Sequence, residues 1–404
     1  MILRNRSLLA LLAAELVSRA GSQMTFLALP WFVLVTTGSP AKMGIVLAVE
    51  LLPTALLGVP SGTLVTRIGA RLTMLGSDLA RVPLMVSLPV LHSAGLLSFP
   101  LLLVLVAAFG CFNAPYFASQ RVILPELLGN DEQTIAQANS VLEGAGQTSA
   151  LLGPPLAGVL IATLGAANVL YVDAATFAFS FVTVLLFVPA RKRVETPEAS
   201  GGLLAGMSFL LRDALMGPLA TVIVLMNALG QMLGAALPVL AFQRYDDARV
   251  GGWLFAAYGL GGLIGTAVAY RLVTKVPALS LASLGAIGFA LPLWVLVPHV
   301  ALAPILGALA FTALCQPLIN APMFGVITTR TPPALFPKVM TAIVTLATIA
   351  GPLGVLFAGA LLEHEGLMVT FGVIAGGVTV VALLFVGVLT RFRRRELRAA
   401  AATP

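Results

Sequence analysis

Glu15, Arg19 and Gln23 recur at every fourth residue inside a stretch that is otherwise apolar from Leu8 to Val35. On a helix that spacing puts an acid, a guanidinium and an amide on one face. Two chemistries suit such a stripe. Glu15 and Arg19 neutralise each other along the helix, or Arg19 reaches a carboxylate on another element and holds it ionised until a proton arrives. Asn139, Glu143 and Gln147 repeat the spacing in a second apolar run. Glu143 there is a group that can load and release a proton; the plainer reading is a structural carboxylate paired with Arg19 or Arg121. Glu50 has no basic residue three or four positions away, so it needs a partner on another element, water, or a proton. Asp173 reads as a water-accessible structural group, and Asp78 and Arg81 lie three residues apart, at helical spacing. Ionisable groups inside apolar helices are costly, and they are functional candidates by default.

The elements that position these residues follow from composition. The chain is 59% hydrophobic and only 10% charged over 404 residues, well short of the roughly 25% charged residues of an ordinary soluble domain. Lipid must therefore be its solvent. Runs of about 20 mostly apolar residues, the length a spanning helix needs, occur twelve times: near 7–36, 41–65, 72–91, 98–122, 136–163, 167–189, 214–242, 250–271, 277–297, 300–325, 339–362 and 366–390. The basic start and apolar run at the N-terminus imitate a signal peptide. Glu15 and Arg19 interrupt that run, and it continues to Val35, so an uncleaved first span is expected.

Orientation follows from Lys and Arg, which gather on the cytoplasmic side of spans. With the N-terminus inside, the outer loops hold only Lys42, Arg244 and Arg249, and Arg19 lies within a span. The other 19 of the 23 basic residues face the cytoplasm. Both termini are expected there, in the cell (inner) membrane, and the net charge of +7 implies no nucleic acid. Trp31, Trp253 and Trp294 fall near outer ends, as an interfacial belt would place them.

Gly21 to Pro30 has a near-copy at Gly230 to Pro238. Gln23-Met24 and Ala28-Leu29-Pro30 match Gln231-Met232 and Ala236-Leu237-Pro238, 208 residues on. Asn113-Ala114-Pro115 returns as Asn320-Ala321-Pro322, Gly62-Thr63 as Gly265-Thr266, and Gly153-Pro154 as Gly351-Pro352. Matches in one order and at nearly one offset point to a duplicated six-span unit. Each copy starts on the same side, so the repeat is parallel. The expected domains are residues 1–190 and 214–392 as six-helix bundles, 191–213 as a cytoplasmic linker, and 393–404 as a basic tail on anionic lipid.

Twelve spans as six plus six, with a charged central linker, resemble the major facilitator superfamily over essentially the whole chain. The specific marker is the loop after the second span, where Gly62, Arg67, Gly69 and Arg71 fit the pattern Gly-x-x-x-Asp-Arg-x-Gly-Arg-Arg. Thr66 stands in place of the Asp and Ala70 in place of an Arg. The resemblance assigns these residues, with Asp78 and Arg81, to a cytoplasmic gate. Thr66 can cap a helix but carries no charge, so the gate should be weaker or supplied by another residue. Ser149, Gly153, Pro154, Ala157 and Gly158 are similar to the antiporter motif of drug exporters. The sequences around Leu16 to Pro60, Ser77 to Arg81 and Asn113 to Pro125 resemble the macrolide-efflux type, the drug:proton antiporter-3 branch.

That resemblance implies an all-α membrane fold whose two pseudo-symmetric bundles surround a central cavity lined by spans one, four, seven and ten. Gln23, Phe26, Asn113, Gln147, Asn227, Gln231, Gln316 and Asn320 are the candidate cavity residues. Met24, Met226, Met232 and Phe324 are candidates for its apolar wall. Glu50, Glu143, Glu15 and Arg19 are the candidates for proton coupling. Acids in the first half and neutral amides in the second suit a neutral or cationic amphipath better than a phosphate ester, which would want several cavity arginines. The chain carries no Walker loop, nucleotide fingerprint or metal-binding His spacing, and Cys111 and Cys315 are expected as reduced thiols. No enzyme activity, cofactor or metal is expected. The expected function is proton-coupled efflux by a monomer. A uniporter, an importer or a siderophore exporter of the same fold is the alternative, with a non-transporting membrane scaffold or sensor behind it.

Overall fold

The computed structural model describes residues 6–128, 132–189, 207–210, 213, 215–332 and 335–401. Twelve helices in it are long and apolar enough to cross a membrane. They are α1 Arg6–Thr37, α2 Pro40–Ile68, α3 Ala70–Ser93, α4 Phe99–Leu128, α5 Glu132–Leu164, α6 Ala166–Phe187, α7 Met216–Leu240, α8 Ala248–Leu272, α9 Ala278–Ala290, α10 Leu302–Arg330, α11 Phe336–His364 and α12 Gly366–Ala401. A single π turn, Ala241–Tyr245, ends α7, and a 3₁₀ segment, Leu291–Leu296, extends α9. Lipid offers the backbone no hydrogen bonds, so each spanning segment must satisfy its own, and helices do this. The proline-bearing spans stay helical, with Pro30 inside α1, Pro115 inside α4 and Pro154 inside α5.

The expected twelve-span, all-α architecture is what the structure has, with longer helices at several ends. The largest difference is α12, which continues to Ala401 where a separate tail was expected to begin at 393. Most of the expected linker, 191–206 with 211 and 212, lies outside the described residues, as do Arg4 and the tail residues beyond Ala401.

The chain divides into two compact units. One is Met1–Glu198 with Pro238–Trp253, the other Ala199–Leu237 with Leu254–Pro404. In the first, α1 packs on α5 and α6, α2 on α4, and α3 on α4 and α6. In the second, α9 packs on α10 and α12. There α8 meets α10 where Gly261 and Gly265 abut the backbones of Ala310 and Leu314, and α7 meets α11 and α12 where Ala228 abuts Gly354 and Leu229 abuts Gly377. Adding six to each helix number turns the first set of partners into the second. The turns repeat as well. Gly38, at φ 64°, joins α1 to α2, and Asp246, at φ 48°, joins α7 to α8, 208 residues on; Gly165 and Gly366 make the short α5–α6 and α11–α12 joints at φ 85° and 78°. Lipid tails are as apolar as leucine, so helix association in a membrane rests on close packing, and small residues at contacts permit it.

The segment Pro238–Trp253 groups with the first unit because it packs there closely. A Cβ on Gly252 would lie 2.9 Å from the Pro154 carbonyl oxygen, and one on Gly158 would lie 2.7 Å from that of Ala248. Phe242 meets Trp31 edge to face, ring centroids 5.4 Å apart. The core of the first unit gathers Leu8, Leu11, Met74, Leu124, Leu142 and Val184.

Candidate functional site

The polar stripe of α1 is tied to α4. Glu15 is only 1% exposed. One carboxylate oxygen accepts from the Tyr116 hydroxyl at 3.0 Å, and the other from the Gln120 amide and from Arg19 Nε, the latter at 3.4 Å. Arg19 Nη2 donates to Gln120 Oε1 at 3.1 Å, which closes a ring of three side chains. Gly146 of α5 makes room for the guanidinium, since a Cβ there would stand 2.5 Å from Arg19 Nη1. Of the two readings of the stripe, pairing along the helix is the one formed. Arg19 makes no ion pair with an acid on another helix among the described residues.

A second pair, Asp78 with Arg81, is buried on both sides. Arg81 donates to Asp78 at 2.5 Å, and Ser180 of α6 donates to the other Asp78 oxygen at 2.7 Å. The Arg81 guanidinium is sandwiched between Tyr116 and Phe177, 3.9 and 4.4 Å from the ring centroids. Two aromatic faces supply cation–π attraction where water is excluded. Tyr116 thus touches both pairs, its hydroxyl on Glu15 and its face on Arg81. This placement differs from the expected gate network. Arg71 donates instead to the carbonyls of Leu185 and Val188, at 2.9 and 2.5 Å, and so caps the end of α6. Arg67 lines a groove of about 500 Å³ with Pro60, Leu64, Leu72 and Phe112, and makes no ion pair among the described residues. Asp78 and Arg81 are buried, at 0% and 3% exposed, because the acid needs Ser180 and the guanidinium needs the two rings.

Thr66, in the place of the motif acid, donates back to Thr63 O at 2.8 Å. It does not cap α3, whose first turn begins at Gly69 without a side-chain cap. Gly69 is required there by its φ of 90°. Gly62 is exposed with open space beside it, whereas Gly265, its match in the repeat, is packed against Leu314. That sequence match is therefore not a matched contact.

The remaining acids differ in exposure. Glu143 is exposed, and Glu50 half-buried; neither makes an ion pair among the described residues, and the side chain of Arg121 lies outside them. Asp173, expected to be water-accessible, is 0% exposed. It accepts from the Thr25 hydroxyl of α1 at 2.5 Å and from Thr176 at 3.1 Å.

Among the amides, Gln23 packs against Gly153 of α5, and Gln231 packs against Gly351 of α11. The same two sequence matches make the same contact in each unit. Asn113 is half-buried; Phe26, Gln147, Asn227, Gln316 and Asn320 are exposed. Gln316 accepts from Tyr258 at 3.3 Å. Met24 and Met232 are buried, while Phe324 is 54% exposed. Pro154 presents its carbonyl oxygen to Gly252. No cluster of three or more His, Cys, Asp or Glu able to hold a metal occurs among the described residues.

Sequence reasoning missed Tyr116, Gln120, Thr25 and Ser180. A signal existed for two of them, since Asn113, Tyr116 and Gln120 follow a three–four spacing that puts them on one face of α4. Hydroxyls such as Thr25 and Ser180 give no such signal, because their usual partner in a helix is the preceding turn.

The Major Facilitator Superfamily profile matches residues 11–248, more than half of the chain. The multidrug efflux pump Tap of Mycolicibacterium fortuitum is 29% identical over 405 residues, covering 96% of this chain and 97% of that protein. Its counterpart in Mycobacterium tuberculosis is 27% identical over 379 residues, covering 89% and 88%. The crystal structure of the nucleoside transporter NupG superposes with a TM-score of 0.76 at 11% identity, over 95% of this chain and 98% of that one, a likeness of fold alone. With twelve apolar helices in two repeated sets, the chain is a multi-pass membrane protein and a secondary transporter, and it belongs to the major facilitator superfamily.

Proposed function

We propose that the protein exports hydrophobic or amphipathic small molecules in exchange for protons, by alternating access, as a monomer in the cell membrane with both termini in the cytoplasm. In this reading the two six-helix halves, 1–190 and 214–392, are the moving bodies, joined through 191–213. The observation that carries the reading is the similarity, along nearly the full length of both chains, to a protein named a multidrug efflux pump. The acids fit it. Glu50 and Glu143 have no cation on them among the described residues, so each can change charge without breaking a pair. Glu15 and Arg19 form a charge pair on α1, one helical turn before Gln23, and a change in either would be felt along that helix. The bias of basic residues toward one side supports the orientation. Exposed amides at Asn227, Gln316 and Asn320 supply hydrogen bonds without charge, which suits neutral or cationic cargo.

The test uses purified protein in lipid vesicles, with ethidium and a macrolide as probes. Accumulation against a gradient should appear when a pH gradient of the opposing sense is imposed, and vanish when that gradient is collapsed. Transport indifferent to the pH gradient overturns the proton-coupling reading.

A further inference from the structure

Asp173 is a charged residue type at zero exposure inside an apolar helix, and the roles above do not use it. A buried carboxylate without a cation is among the costliest groups a membrane protein can hold. The charges facing it are accounted for. On α3, Arg81 is spent on Asp78. On α1, Arg19 and Glu15 pair with each other six and ten residues before Thr25, about 9 and 15 Å along the axis at 1.5 Å per residue. On α2 the nearest charge is Glu50, which is another acid. On α5, Glu143 is exposed. Among the described residues no cation touches the Asp173 carboxyl.

Its hydroxyl partners fit two protonation states. Thr25 donates to Oδ2. The Thr176 hydroxyl lies 2.7 Å from the backbone carbonyl of Asp173 and 3.1 Å from Oδ1. It has one hydrogen and two lone pairs. With Asp173 ionised, that hydrogen serves Oδ1. With Asp173 protonated on Oδ1, the acid donates to the Thr176 oxygen, and Thr176 turns its hydrogen to the carbonyl. Neither state leaves a hydroxyl hydrogen unpaired, and apart from the added proton only a hydroxyl rotation separates them. Gly21 of α1 leaves the space this needs, since a Cβ there would strike both Thr176 Oγ1 and Asp173 Oδ1.

We propose that Asp173, held by Thr25 and Thr176 against Gly21, is a proton-carrying carboxyl of the transport cycle. It acts in addition to Glu50 and grips α1 between Gln23 and Phe26. Loading adds one proton to Oδ1 and release returns it to water, with no other bond made or broken. Thr25 carries the change to α1, because the ionised acid holds that hydroxyl more strongly than the neutral one. This inference rests on the proton-coupled reading above.

The experiment is infrared difference spectroscopy of the full-length protein in lipid nanodiscs during a pH titration, paired with pH-driven ethidium transport in vesicles. Asp173→Asn should remove one titrating carboxylic C=O band and abolish pH-driven accumulation while sparing downhill exchange. Asp173→Glu should restore both in part. Thr176→Val, which keeps the shape and loses the hydroxyl, should shift the band and its titration midpoint, and it serves if Asp173→Asn does not fold. An Asp173→Asn spectrum identical to wild type, or a Thr176→Val band unmoved, overturns the proposal. So does loss of the band with pH-driven transport intact. Wild-type transport indifferent to pH is a separate failure, read on wild type alone, and it removes the coupling reading itself.

Discussion

The two halves of the molecule share a frame and differ in chemistry. Gln23 rests on Gly153 in one and Gln231 on Gly351 in the other. Around these shared contacts the side chains diverge. At the 208-residue offset of α1 and α7, Glu15 and Arg19 become Ile223 and Asn227. At the 207-residue offset of α4 and α10, Tyr116 and Gln120 become Met323 and Ile327. Met323 and Ile327 are buried, at 6% and 5% exposed, as Tyr116 and Gln120 are. The first half thus places a hydrogen-bonded charge network where the second half has three hydrocarbon side chains and one exposed amide, Asn227. A buried ion pair is not needed for stability, since a well-packed apolar set of similar volume often does as well.

The strongest way to break the comparison is to make the first half like the second. Glu15→Ile, Arg19→Asn, Tyr116→Met and Gln120→Ile together should leave a folded protein with thermal stability near wild type. They should abolish pH-driven ethidium accumulation in vesicles. Retained pH-driven transport would mean the network is structural only. Removing one member of a pair is different. Asp78→Ala leaves Arg81 buried and uncompensated, and should cost about 3–5 kcal/mol, seen as a large fall in unfolding temperature of the purified protein. A smaller effect separates the matched glycines. The Cβ of Gly153→Ala would stand 2.5 Å from Gln23 Cβ, whereas that of Gly351→Ala would meet Gln231 Nε2 at 3.3 Å. A Cβ cannot yield and an amide end can, so Gly153→Ala should cost about 1–3 kcal/mol and Gly351→Ala distinctly less. Equal shifts in unfolding temperature would deny the difference in packing. Smallest of all, Tyr258→Phe loses one neutral hydrogen bond to Gln316, worth about 1 kcal/mol or less, and should leave pH coupling untouched.

Much of the frame was legible in the sequence. Span count follows from apolar length, and the repeat shows in identities such as Gln23-Met24 with Gln231-Met232, because in each copy the Gln packs on a glycine, Gly153 or Gly351. The gate assignments of Arg71, Asp78 and Arg81 were less legible. A motif says where a residue stands along the chain, but Arg71 turned to the free carbonyls of α6, and Arg81 to two rings on α4 and α6. Asp173 was misjudged for a related reason. Its nearness to a span end suggested water, while its exposure depends on which helix covers it, here α1 with Thr25 and Gly21.

The most direct test of the account is whether cargo moves protons through acids of the first half. Ethidium should be added to vesicles holding wild type and the Glu50→Gln, Glu143→Gln double variant, with internal pH followed by a trapped dye. The account predicts a cargo-driven pH change in wild type and none in the double variant, with ethidium exchange intact in both. A double variant that moves protons as wild type does would contradict it.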